Sequence, residues 1–386
     1  MCMESGAVYF ISSGKADALK MGKFFLLWTF IAGTFAAAAW WLILQFSSIS
    51  SFQNLQILYA GVLFIGGVLL TTFFNALFYS KQQFGLPNKI LFGVNAIFIL
   101  FLIFGNQLSW VRENFLLLYF FSYFLQGILL MLIFFFWYPE KGNRGLPAIT
   151  VLKKVYAYSV VALISNIAYF LVTRMDYWLV ERYCSANDLG NYIQASKLGQ
   201  MMLIIPSILA STLFPLLATG KETNANTKLE SIVRVLFSVN LVLCLPIICF
   251  GNYLFPLIFG SSFDKMYGLF VLLIPGILAL SMNYPVAAWF SAKDRIGVNI
   301  SGALITLIFI LISDMLILPH AGVLAASVVS SMGYFCFYFY LLAKYRKENP
   351  SSIKDFFMIR KNDLQWIFRL LKAKISGIFP GRTMGP

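Results

Sequence analysis

The chain carries one histidine, five cysteines and only 11% charged residues in 386 positions. The single histidine, His320, excludes any metal site built on two imidazoles, and only His320 itself is left to serve a Ser-His-Asp set. Cys2, Cys184, Cys244, Cys249 and Cys336 form no C-x-x-C pair and no disulfide framework; most sit in or beside apolar runs, where cysteine acts as a small hydrophobe. No G-x-x-x-x-G-K-[ST] occurs. Gly14-Lys15 is followed by Ala, and Gly6 stands at the wrong distance, which excludes nucleotide hydrolysis by the P-loop route. A soluble domain is about 25% charged. The shortage of charge therefore excludes a soluble globular enzyme, a disordered chain and a nucleic-acid module.

What is present is apolar: 60% of the residues are hydrophobic, with 40 Phe, 19 Tyr and 8 Trp. The formal net charge of +14 is not a nucleic-acid footprint. Residues 1–21 are neutral, whereas residues 344–386 hold ten Lys/Arg against three acids. The rest of the excess is scattered between apolar runs, as in the cytoplasmic loops of membrane proteins.

A membrane-spanning helix needs roughly 20 mostly apolar residues. Ten runs meet this: 24–46, 55–79, 89–106, 115–138, 155–182, 190–218, 232–258, 267–290, 296–318 and 321–343. The seventh is interrupted by Pro246 and Pro256. The runs are apolar on every side, unlike the alternating strands of a barrel. The expected fold is all-α: a polytopic integral membrane protein of about ten transmembrane helices. With the amino terminus inside, 24 of the 29 Lys/Arg fall in cytoplasmic segments; the outer loops hold Arg112, Arg182 and Lys265. That asymmetry places both termini in the cytoplasm.

Met1 to Gly14 is too short to span and reads as the last turns of a helix before a Lys-bearing loop. The stretch 139–154, with Pro139, Gly142, Gly145 and Pro147, is expected to be a cytoplasmic linker. It would separate an N-terminal part (1–138, four spans) from a six-helix lobe (155–343). Residues 344–386 form a basic tail. After Asp363, Leu364, Ile367, Phe368, Leu371, Ile375 and Ile378 recur at helical spacing, interleaved with Arg369, Lys372 and Lys374. This pattern fits a helix lying on an anionic leaflet; the alternative is a solvated tail.

Charges inside a membrane cost roughly 2.5 to over 10 kcal/mol each and usually face a wet cavity. Arg174 and Asp176 are two residues apart and point to different sides of a helix; Arg174 and Glu181 share one. Counted from the turn at Ser185 to Asp188, Arg174 and Lys197 lie about 15 and 13 Å deep on neighbouring helices. Arg174, Asp176 and Lys197 are thus candidates to gather at one level of a cavity. Snorkelling of Arg174 and Lys197 to the outer headgroups is the competing reading. Asn75, Asn166, Gln194 and Gln200 are weaker candidates for sugar hydroxyls, since such residues also bond helix to helix. Asp314 and His320 read as a pair at the outer interface. Pro206, Pro215, Pro275 and Pro285 are candidate helix breaks near mid-membrane.

The stretch Arg174-Met-Asp-Tyr-Trp-Leu-Val-Glu, then Ala186-Asn-Asp-Leu-Gly190-Asn-Tyr192-Ile-Gln-Ala195-Ser-Lys197-Leu, Ile205-Pro206 and Leu213-Phe214-Pro215, resembles the polysaccharide-biosynthesis flippases. These are the O-antigen and capsule repeat-unit transporters of the multidrug/oligosaccharidyl-lipid/polysaccharide exporter superfamily. The resemblance covers nearly all of 4–343, most specifically 155–218. It implies a MATE-like fold of two lobes, here four plus six helices, with the family's first helix and most of its second absent. It implies a substrate too: an undecaprenyl-diphosphate-linked oligosaccharide, turned from the inner to the outer leaflet of a bacterial plasma membrane. A basic cavity would meet the diphosphate. An H+ or Na+ gradient would give direction, with Asp176 as the ion-linked group, and polysaccharide polymerase machinery would follow. No cofactor, metal or enzymatic step is implied.

Other readings stand beside it. A drug/cation antiporter of the same superfamily would show acidic rather than basic cavity residues. A membrane glycosyltransferase or polymerase would need a long outer loop for its catalytic groups, and the chain's outer loops are short. A non-functional truncated flippase is the remaining reading, given the absence of the family's first helix and most of its second.

Overall fold

The computed structural model describes residues 2–46, 55–105, 107–138, 145–219 and 225–350, with Phe356, Arg360 and Asp363. These residues form fourteen α-helices and no strand. They are α1 (Met3–Ser12), α2 (Ala18–Phe46), α3 (Leu55–Ser80), α4 (Gly85–Gly105), α5 (Ser109–Glu113), α6 (Phe115–Trp137) and α7 (Ile149–Val172). There follow α8 (Met175–Tyr183), α9 (Ala186–Met202), α10 (Ile204–Ala218), α11 (Ala225–Phe259), α12 (Met266–Ala292), α13 (Ile296–Ala321) and α14 (Val323–Glu348). A 3-10 turn, Ser261–Phe263, precedes α12. Among the described residues nine helical spans are long and apolar enough to cross a membrane; α9 and α10, bent by 41°, make a tenth. All ten apolar runs therefore become helices, and α1 is the short helix expected at the start, closed by Gly14 at φ +73°.

The prolines behave unequally. Pro246 and Pro256 lie within an unbroken α11, and Pro275 and Pro285 within an unbroken α12. In hydrocarbon no water takes up freed backbone groups, so the helix continues past the lost bond. Pro206 differs: α9 stops just before Leu203, and a residue at 206 without an N–H leaves the Met202 carbonyl without its i→i+4 donor.

The chain divides into two compact units, Met1–Leu163 with Ala218–Gly220, and Ile164–Leu217 with Lys221–Pro386. The division falls inside α7. Residues 149–154 of the expected linker are helical, and 139–144 lie outside the described residues. The first half of α7 belongs with α1: Tyr158 stacks on Tyr9 at 4.8 Å, and a Cβ on Gly6 would meet the Val155 carbonyl at 2.7 Å.

In the first unit α3 is central, with α1, α2 and α6 packed on it. Phe25 stacks on Phe73 at 4.3 Å, and Phe134 meets Phe74 and Phe78 edge-on. The α3–α6 approach depends on glycine. A Cβ on Gly67 would lie 2.5 Å from the Phe124 backbone nitrogen, and one on Gly127 would lie 2.6 Å from Leu70 Cβ. Small residues at such crossings let two backbones pack where lipid offers no hydrophobic drive. Gly67→Val should therefore remove most folded protein, because the clash is with backbone and overpacking alone costs about 1–3 kcal/mol. Gly33→Ala, with nothing within 4 Å, should be neutral. Monodisperse yield of a fluorescent fusion on size exclusion checks both.

In the second unit α12 is the core helix, flanked by α9, α11 and α14. Gly276 abuts the Ser331 backbone, while Gly333 admits Ile310 of α13.

Candidate functional site

The fifth apolar run breaks where its charges begin. The Thr173 hydroxyl bonds back to the carbonyls of Tyr169 (3.2 Å) and Phe170 (3.1 Å). Such back-bonding competes with the helix ladder. The Arg174 N–H reaches only Leu171, three residues back, and Arg174 adopts φ −140°, ψ −19° before α8 starts. Two neighbouring charges are thereby sent in different directions within the second unit.

Arg174 is half-buried. Its guanidinium donates to Gln200 Oε1 at 2.8 Å and lies over the rings of Tyr177 (5.5 Å) and Phe170 (6.0 Å). Gln200 in turn donates to the Tyr177 hydroxyl at 3.4 Å. Beside this group is a small recess of about 20 Å³, lined among others by Thr173, Ser196, Gly199, Gln200 and Tyr334, with room for about one water. The half-buried fork of Arg174 is held by neutral partners, so its charge is not cancelled by a carboxylate among the described residues.

Asp176 turns inward and is 1% exposed. Tyr192 donates to it, as does Ser330 at 2.9 Å, and the Tyr177 N–H completes the shell at 3.0 Å. Tyr177 and Tyr192 touch edge-on at 5.7 Å, linking this carboxylate to the Arg174 group.

A second carboxylate lies close by. Asp314 is 0% exposed, interacts electrostatically with Asp176, and neither of its oxygens has a hydrogen-bond partner among the described residues. The reading of Asp314 and His320 as an interfacial pair is corrected: Asp314 is buried, and His320 is exposed. The geometry explains why. Asp314 and Ser330 each stand eight residues from the Gly322 turn, about 12 Å along antiparallel neighbours, so they share a level. Ser327 Oγ, one turn away on α14, is likewise buried without a partner among the described residues.

The remaining candidates scatter. Lys197 and Glu181 are exposed, and Gln194 is half-buried. Asn166 is exposed and has a partner of its own. Asn75 belongs to the first unit, where its Oδ1 is buried without a partner among the described residues. Arg174 and Asp176 thus sit at one break but face different groups, and Lys197 joins neither. Sequence reasoning missed Asp314, Ser330 and Tyr192. The signal available for them was the equal spacing of Asp314 and Ser330 about Gly322.

The second unit thus combines a broken span, a half-buried arginine and two buried carboxylates. Solved structures similar to the chain include MATE transporters. A Vibrio cholerae MATE transporter in its bent form matches with TM-score 0.72 at 13% identity, covering 92% of this chain and 85% of that one. A Pyrococcus furiosus transporter of the MOP superfamily, described as having a binding pocket of reverse polarity that suggests a different function, matches with TM-score 0.66 at 12% identity, covering 90% and 82%. At these identities the likeness establishes the fold: this is a multi-pass membrane protein of the MATE type. Residues 10–267 match the model of a polysaccharide biosynthesis protein family, and the chain belongs to that family. A probable low-salt glycan biosynthesis flippase of Haloferax volcanii is 19% identical over 210 residues, 53% of this chain. The chain spans 44% of the length of that curated relative.

Proposed function

We propose that the chain is a flippase for a lipid-linked oligosaccharide. Its substrate is an undecaprenyl-diphosphate-linked repeat unit of O-antigen, lipopolysaccharide, capsule or exopolysaccharide. It turns this from the inner to the outer leaflet of a bacterial inner membrane by alternating access, with both termini cytoplasmic and a polymerase acting on the product. The family, the fold and the flippase relative support this reading.

The observation that carries it is Arg174. A guanidinium half-buried among neutral groups keeps its charge available, and its planar fork suits diphosphate oxygens. The hydrophilic sugars need a polar path, whereas the polyprenyl tail stays in lipid, so no bond is made or broken. Lys197 adds a second cation on α9. Gln194, Asn166 and Asn75 offer amides to sugar hydroxyls, and Glu181 balances charge. Direction comes from H+ or Na+ acting at Asp176, to which Asp314 adds a second carboxylate. Two adjacent buried carboxylates without a cationic partner among the described residues are costly unless a proton or metal cation neutralises them.

Deleting the gene from its host should abolish the surface polysaccharide and leave the lipid-linked precursor facing the cytoplasm; re-expression should restore export. The acidic pair also suits a drug/cation antiporter. Lost drug resistance with unchanged surface glycan in the deletion strain would favour that reading instead.

A further inference from the structure

Arg234 is 2% exposed in the third turn of α11. It pairs with Asp363, 3% exposed, from the segment beyond α14. Four donors converge on that carboxylate: Arg234 Nε at 2.7 Å, Arg234 Nη2 at 2.8 Å, Ser231 Oγ, and the Arg360 N–H at 2.9 Å. Seven residues earlier Phe356 is fully buried, edge-on to Tyr345 at 5.8 Å. Tyr345 meets Trp289 at 5.0 Å, and Trp289 donates to Asn226 at 3.1 Å. Asp363 is thus anchored to α11 by an ion pair, and Phe356 to α14 by an aromatic contact.

A bidentate guanidinium with a hydroxyl and an N–H beside it is a full set of oxyanion donors. Asp363 fills it on a short tether. The chemistry serves a phosphate equally well, because the fork matches both groups. Residues 364–386 contain Arg369, Lys372, Lys374 and Arg382 and no acid, a composition drawn to anionic headgroups. A membrane surface would pull the tail outward and at the same time offer Arg234 an anion in place of the carboxylate that leaves.

We propose that the Arg234–Ser231 cradle is a phosphate site, plugged by the chain's own Asp363 and opened when an anionic lipid headgroup displaces that carboxylate. Protonation does not open it at cellular pH. Burial alone would raise the Asp363 carboxyl, but the bonds from Arg234, Ser231 and Arg360 outweigh burial and hold it at about 2. Its contribution is complete above the ordinary carboxylate range and is lost only as pH falls through that value. This proposal does not depend on what the protein transports.

The test is hydrogen exchange of the peptide containing residues 356–363, with the full chain in nanodiscs. In phosphatidylcholine the peptide should be protected, and added phosphatidylglycerol should speed its exchange at least fivefold. Asp363→Asn should exchange fast in both lipids. Phe356→Ala, which keeps the ion pair, should remain lipid-responsive. Equal protection in both lipids, or a lipid effect undiminished in Asp363→Asn, would overturn the proposal. Inorganic phosphate in phosphatidylcholine discs, at matched ionic strength, separates the sources: release by it alone would keep the phosphate site and overturn the lipid as its ligand.

Discussion

Arg174→Ala should lower surface polysaccharide at least tenfold in a strain that depends on this chain, with membrane abundance unchanged. The guanidinium makes one side-chain hydrogen bond, to Gln200, so losing it costs the fold little. Its larger contribution would be to a bound diphosphate. A hydrogen bond to a charged group is worth about 1.5–3 kcal/mol, roughly 10- to 150-fold in binding or rate. Arg174→Lys should fall between, since it keeps the charge but not the planar fork. Quantitative blotting of surface glycan against membrane protein reads both. If Arg174→Ala instead loses the protein itself, the residue is structural, and its role as an anion ligand fails.

The second large effect concerns Asp314, where function and stability should move apart. Its carboxylate is fully buried and unpartnered among the described residues, so it is a cost to the folded lobe. Asp314→Leu should raise the thermal stability of the purified protein by about 1–3 kcal/mol, the penalty of an unsatisfied buried polar group. The same substitution should abolish the dependence of export on the ion gradient. Asp176→Leu should do the opposite to stability, because Tyr192 and Ser330 would lose their acceptor. A stability gain with coupling intact in Asp314→Leu would mean that the group is idle. Raised stability and lost coupling together are the mark of strain kept for function.

Much of the fold was legible in the sequence because the bilayer allows so few solutions. A run of about 20 apolar residues without water must close its backbone bonds internally, and all ten such runs are helical. The spacing of Arg174 and Asp176 pointed to different sides of a helix, but the break at Thr173 that sends them to different groups was not legible in it. Other features depend on pairings that no local pattern encodes. Asp314 looked interfacial because it lies near a helix end beside His320; only tertiary packing buries it and brings it within electrostatic reach of Asp176. Arg234 bonds to Asp363, 129 residues away in sequence. Lys197 is exposed and joins neither Arg174 nor Asp176, since the direction it takes depends on tertiary packing that its spacing does not encode. The amphipathic pattern after Asp363 lies outside the described residues.

The most direct measurement is translocation itself. Purified protein in vesicles carrying a fluorescent diphosphate-linked oligosaccharide lipid on one leaflet should move it to the other far faster than protein-free vesicles, and Arg174→Ala should return the rate to that of the empty membrane. Wild-type vesicles no faster than empty ones, or an Arg174→Ala protein as fast as wild type, would contradict the account.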